Sequence, residues 1–132
     1  MRSTCLVADA YGMPLRCLIV DDNSFFLEGA SDLLRREGLD VVGVASNGAE
    51  AFRLAEELRP DVTLVDVDLG DEDGLELARQ LNDSAPHSKV ILISTHPESD
   101  MAHVIGASRA VGFIPKTRLS AQAILDVLEP AA

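Results

Sequence analysis

Five residues able to handle a metal ion or a phosphoryl group stand at the ends of four short apolar runs in this chain. Leu18-Ile19-Val20 leads into Asp21-Asp22, and Val62-Thr63-Leu64-Val65 leads into Asp66, 44 residues after Asp22. Val90-Ile91-Leu92-Ile93 leads into Ser94, 28 residues beyond Asp66. Val111-Gly112-Phe113-Ile114 then leads through Pro115 to Lys116, 22 residues further on. A carboxylate such as Asp66 can attack phosphorus and form an acyl phosphate. Crowded carboxylates repel one another, and a hard divalent cation relieves that repulsion; Mg²⁺ is typically held by one or two carboxylates together with phosphate and water. A serine hydroxyl can donate to a phosphoryl oxygen, and a lysine adds a compact positive charge opposite the metal. Phosphoryl transfer needs mainly such positioning and charge neutralisation.

Each of these residues also has an ordinary use. Asp21-Asp22-Asn23 can cap the helix that follows, since Asp and Asn accept hydrogen bonds from orphan helix amides. Ser94 can cap, Lys116 alone is a solvated charge, and Phe113 in an apolar run is core. Joint occurrence argues for chemistry instead. If the four runs are parallel strands of one sheet, their carboxyl ends meet at one edge, which is where open α/β sheets bind ligands.

The intervening segments supply the crossovers that such a sheet needs. Asn23 or Ser24 can cap a helix with Leu27, Ala30 and Leu34 inward, stopped by Gly38. Val41 to Ala45 reads as a second strand. Asn47 caps a helix whose Ala51, Leu54, Ala55 and Leu58 fall on one face, ended by Pro60. Gly74, Leu77, Ala78 and Leu81 mark a third helix, and Pro86 breaks the chain before the next strand. Residues 98–107 give a weaker fourth helix with Met101, Val104 and Ile105 apolar, and Ser120 caps a fifth with Ala121, Ile124, Leu125 and Leu128 inward. Five βα units with right-handed crossovers follow. The expected fold is therefore α/β: a flavodoxin-like, doubly wound (βα)5 sandwich whose parallel five-stranded sheet runs in the order 2-1-3-4-5.

Composition agrees. A chain of 132 residues suits one domain, large enough to bury about two-thirds of its unfolded surface. Hydrophobic content is 47% with only 4% aromatic, so aliphatic side chains fill the core. A net charge of −11 disfavours nucleic acid or an anionic membrane as a direct ligand. Part of the acidity lies in Asp66, Asp68, Asp71, Glu72 and Asp73, near the candidate metal ligands. Of the two cysteines, Cys17 falls in the first strand pattern and reads as a small apolar residue, while Cys5 lies in the N-terminal tail. With no apolar stretch approaching ~18 residues, no membrane span is expected. No continuous apolar segment of signal-peptide length is present either, and a reducing cytoplasm is the consistent compartment.

This constellation resembles the receiver domain of bacterial two-component response regulators, of the single-domain, chemotaxis-protein-like type. The likeness covers residues 15–129, leaves 1–14 as an N-terminal extension expected to be disordered, and leaves no room for an output domain; Met13 is an alternative translation start. The resemblance implies that Asp66 is the phosphoacceptor and that Asp21, Asp22, Asp66 and the backbone carbonyl of Asp68 hold Mg²⁺ or Mn²⁺. It implies Ser94 and Lys116 as phosphoryl-contacting residues, and Ser94 with Phe113 as the switch. Pro115 matches a proline before which a cis peptide is expected. Asp73-Gly74 matches the Asp-Gly that opens the third helix, whereas Gly70 departs from a frequent proline four residues after the acceptor. Asp68 and His96, two residues after the acceptor and the switch serine, flank the path of attacking water and are expected to tune dephosphorylation. The implied partners are a sensor histidine kinase or phosphotransfer protein and a downstream protein target. The face of helix 4, strand 5 and helix 5 also leaves room for a homodimer.

Two rivals remain on residues alone. Val65-Asp66-Val67-Asp68 resembles the Asp-x-Asp motif of haloacid-dehalogenase-type phosphatases, but there the motif comes near the N-terminus and the acidic pair follows the lysine. Here the pair comes first. The other rival is an interaction module that never turns over phosphate, against which stands the presence of every reactive residue. On balance the chain is expected to be a signalling protein and not an enzyme beyond its own phosphorylation and dephosphorylation.

Overall fold

In the computed structural model, which describes residues 14–85, 88–95 and 108–129, the apolar runs become the strands of one parallel sheet. They are β1 (Arg16–Val20), β2 (Asp40–Ala45), β3 (Val62–Asp66), β4 (Lys89–Ser94) and β5 (Gly112–Pro115). Their order across the sheet is β2-β1-β3-β4-β5, the doubly wound order expected from the sequence. The crossovers carry α1 (Ser24–Arg36), α2 (Gly48–Leu58) and α3 (Gly74–Ser84), and a C-terminal helix (Ala121–Leu128) follows β5.

Central strands covered on both faces must be apolar throughout. Every residue of β3 is buried, and so is every residue of β4 after Lys89. Side chains alternate between two cores. On one face Ile19, Leu64, Ile91 and Ile93 pack with Leu27, Ala30 and Leu34 of α1 and Ile124 of the C-terminal helix. On the other, Leu18, Val20, Val65 and Leu92 pack with Ala51 and Ala55 of α2 and Leu77, Ala78 and Leu81 of α3. Cys17 is fully buried in the first core, and burial pushes its thiol pKa up to about 12, so it packs as a small apolar residue.

The helices begin where the sequence marks them. Side-chain oxygens of Asn23, Asn47, Asp73 and Ser120 accept from the amides of Phe26, Glu50, Leu75 and Ala123. Such caps contribute about 1 kcal/mol each. Gly38, at φ 99°, releases the chain from α1, and Arg59 in the left-handed region closes α2 directly before Pro60. Pro86, His96 and the fourth expected helix lie outside the described residues, as do the first thirteen.

Two features differ from expectation. The peptide before Pro115 is trans, not cis. Pro115 is the last residue of β5, extended at φ −60° and ψ 139° and level with Ser94, so the strand leaves the sheet without the chain reversal that a cis bond would serve. Trans is also the lower-energy isomer, by about 0.5–1 kcal/mol. The second difference follows Asp66, where the sequence marks no strand: Asp68–Leu69 and Glu72–Asp73 pair as a small antiparallel hairpin. Gly70 stands first in its turn at φ 60°, which a proline cannot adopt.

Candidate functional site

Register brings the candidate residues level. Val20 lies opposite Val65, Asp66 opposite Ile93, and Ser94 opposite Pro115, so Asp21, Asp66, Ser94 and Lys116 all emerge at one edge. Carboxylate oxygens of Asp21, Asp22 and Asp66 lie within 4.8 Å of one another. Asp21 is fully buried and Asp66 only 4% exposed, while Asp22 faces solvent. A cluster of hard oxygen donors with one member open to water suits a cation that keeps part of its hydration shell, as Mg²⁺ does.

Lys116 reaches into this cluster from the start of a 3-10 turn after β5. Its Nζ is 2.6 Å from Asp21 Oδ2 and 3.4 Å from Asp66 Oδ2. Burial pushes the Asp66 carboxyl up to about 6, and the charge of Asp21 adds to the effect; the Asp68 amide and the Lys116 ammonium pull the other way. Burial lowers the Lys116 ammonium, but its hydrogen bond to Asp21 and the charges of Asp66 and Asp21 outweigh that and leave it raised. The site thus carries more anionic charge than its one lysine balances, a condition that favours a divalent cation.

Backbone amides, two glycines and neighbouring side chains hold this geometry. The amide of Asn23 donates to Asp21 Oδ1 at 2.9 Å, and the amide of Asp68 donates to Asp66 Oδ1 at 3.1 Å. The Val67 amide bonds the Ile93 carbonyl, extending the sheet one residue past Asp66. Gly74 opens α3 so close to Asp66 that a Cβ there would collide with the carbonyl oxygens of Asp66 and Val67. At Gly70 a Cβ would lie 2.9 Å from Asp22 Oδ2, so the hairpin tip passes directly by the exposed acid. Glu72, on the returning strand of the hairpin, accepts from the Gly48 amide at 2.7 Å and ties the hairpin to the start of α2. Phe26 sets its ring against Lys116, with Nζ 4.4 Å from the centroid. Sequence patterns flagged Gly74 and Asn23 as helix-start residues but gave no sign that Phe26 meets Lys116 or that Glu72 meets Gly48. Those contacts join residues far apart in the chain.

Ser94 is fully buried at the end of β4. Phe113 is 6% exposed and packs in the core on the α2–α3 side, already pointing inward. The Asp68 side chain is exposed at the start of the hairpin.

The fold and this acidic edge define a class of protein, and comparison with known proteins names it. Residues 17–129 match the response regulator receiver domain, and the chain belongs to that family. The chemotaxis protein CheY of Listeria monocytogenes is 33% identical over 118 residues, covering 89% of this chain and 98% of its own length. The transcriptional regulatory protein LnrK of Bacillus subtilis is 35% identical over 115 residues, covering 86% of this chain but 52% of LnrK. The chain spans about half the length of the first curated relatives that it matches. Among solved structures, the signal receiver domain of the putative response regulator NarL from Mycobacterium tuberculosis superposes with a TM-score of 0.78 at 30% identity, covering 89% of this chain and 98% of that one. The protein is thus a receiver module of two-component, phosphoryl-accepting signalling. Receiver domains bind Mg²⁺ through an acidic pocket, and Asp21, Asp22 and Asp66 form such a cluster here. No helix among the described residues is long and apolar enough to cross a membrane.

Proposed function

We propose that Asp66 accepts a phosphoryl group from the phosphohistidine of a sensor histidine kinase or phosphotransfer protein, and that the phosphorylated chain signals through contacts with a downstream protein in the cytoplasm. A carboxylate oxygen of Asp66 bonds to phosphorus as the P–N bond of the donor breaks, and the leaving imidazole keeps the electron pair and takes up a proton. Asp21, Asp22, Asp66 and the Asp68 carbonyl would hold Mg²⁺, which would supply charge neutralisation for the phosphoryl oxygens. Lys116 supplies the protein's own positive charge beside Asp66, and Ser94 supplies a hydroxyl donor at the next strand end.

The observation that carries this reading is the convergence of three carboxylates within 4.8 Å, with Lys116 Nζ 3.4 Å from the acceptor oxygen. The test is incubation with acetyl phosphate and Mg²⁺ followed by intact mass. One added phosphoryl group is expected, lost when EDTA removes the metal and absent in Asp66→Asn. Label that persists in Asp66→Asn moves the acceptor elsewhere.

A further inference from the structure

Lys116 is held from three sides, and only two of them are carboxylates. Beyond Asp21 and Asp66, its ammonium faces the ring of Phe26 at 4.4 Å from the centroid, within cation–π range. The local backbone fixes that ring. Asn23 accepts from the Phe26 amide through its side chain and donates to Asp21 through its own amide. One cap therefore sets both the buried acid and the helical register that aims residue 26 at the lysine. The preceding Phe25 is 88% exposed, so two consecutive phenylalanines part, one to solvent and one to the site.

We propose that Phe26 is a positioning residue for phosphoryl transfer, its electron-rich face holding the Lys116 ammonium beside the acceptor. The proposal rests on Asp66 being the phosphoacceptor. A lysine is a strongly hydrated point charge on a flexible four-carbon stem, so without a third support it has many placements to sample. A third carboxylate would hold it equally well but would add negative charge just where an anionic phosphoryl group must arrive. An aromatic face attracts the cation through its quadrupole and brings no net charge.

The test replaces Phe26 with mono-, di- and trifluorinated phenylalanines, which weaken the ring's quadrupole while barely changing its shape. Labelling by acetyl phosphate and Mg²⁺ is followed by intact mass. The rate is expected to fall stepwise with fluorination, by roughly 3- to 10-fold across the series. Phe26→Leu slows similarly, and Phe26→Tyr stays near wild type. The Lys116 side-chain proton resonances are expected upfield in wild type, under the ring, and back at ordinary positions in Phe26→Leu. A rate that is flat across the fluorinated series, or a Phe26→Leu protein that labels as fast as wild type, overturns the proposal. A wild-type chain that takes no label overturns the phosphoacceptor reading and this proposal with it, whereas a labelled wild type with a flat series overturns this proposal alone.

Discussion

Ionising Asp66 in the folded protein carries an energetic cost. Its carboxyl titrates near 6 in the folded protein against 3.8 for the unperturbed group, first because it is buried and then because Asp21 is charged beside it. The folded state therefore holds the Asp66 proton more tightly than the unfolded chain does. This contribution to stability is complete below about pH 4 and is lost as pH rises through about 6. Asp66→Asn keeps an oxygen for the Asp68 amide and carries no charge, so the variant escapes that loss. In EDTA at pH 7.5 it is expected to melt above wild type, by an amount on the order of 2 kcal/mol, with the difference vanishing below pH 4. Mg²⁺ is expected to reverse the order by binding the native wild type. Thermal melts across pH, with and without Mg²⁺, check both halves; equal melting of the two proteins at pH 7.5 in EDTA would show that Asp66 is not under charge strain. Asp22→Ala is expected to lose most of the Mg²⁺ stabilisation, because it removes the one solvent-facing carboxylate of the cluster.

At the scale of elements, the tip of the hairpin after β3 lies against Asp22. Its turn needs Gly70 at φ 60°, and any Cβ there would crowd Asp22. Gly70→Ala adds left-handed backbone strain of about 1 kcal/mol and pushes Asp22 away. It is therefore expected to lower the melting temperature modestly and to raise the Mg²⁺ concentration needed for half-maximal labelling. Unchanged Mg²⁺ dependence in Gly70→Ala would mean that the hairpin tip does not shape the metal site. A second interlock lies on the opposite face, where the Glu37 side chain at the end of α1 accepts from the Ala121 amide at 2.7 Å and anchors the C-terminal helix to α1. This pairing of a carboxylate with a helix N-terminus also favours the helix dipole.

At the scale of the molecule, the question is how charge at one edge alters a distant surface. Ser94 and Phe113 lie on adjacent strands, with Ser94 level with Pro115 and Leu92 level with Phe113. Phe113 already packs inward, so a phosphoryl group drawing on Ser94 is expected to act by favouring this arrangement over an outward one through its differential affinity for the two. Ser94→Ala is expected to accept phosphate, while the amide resonances of β5 and the C-terminal helix move less on labelling than in wild type. Movement equal to wild type would take Ser94 out of the switch.

The sequence alone was enough to read the βα alternation, the helix caps, the strand order and the residues that meet at the sheet edge. These follow from local periodicity, from cap chemistry, and from the rule that parallel strands end on one side. It did not reveal the trans peptide before Pro115, because a short motif carries no record of the path the strand takes on leaving the sheet. Nor did it show the hairpin, where Gly70 pairs a left-handed backbone with a close approach to Asp22, a residue 48 positions earlier. The contacts of Phe26 with Lys116 and of Glu72 with Gly48 likewise join helices and loops whose separation in the chain bears no fixed relation to their distance in space. Only the packing of α1, α2 and the hairpin after β3 around the finished sheet decided them, since their geometry depends on how those elements stack and not on any local pattern.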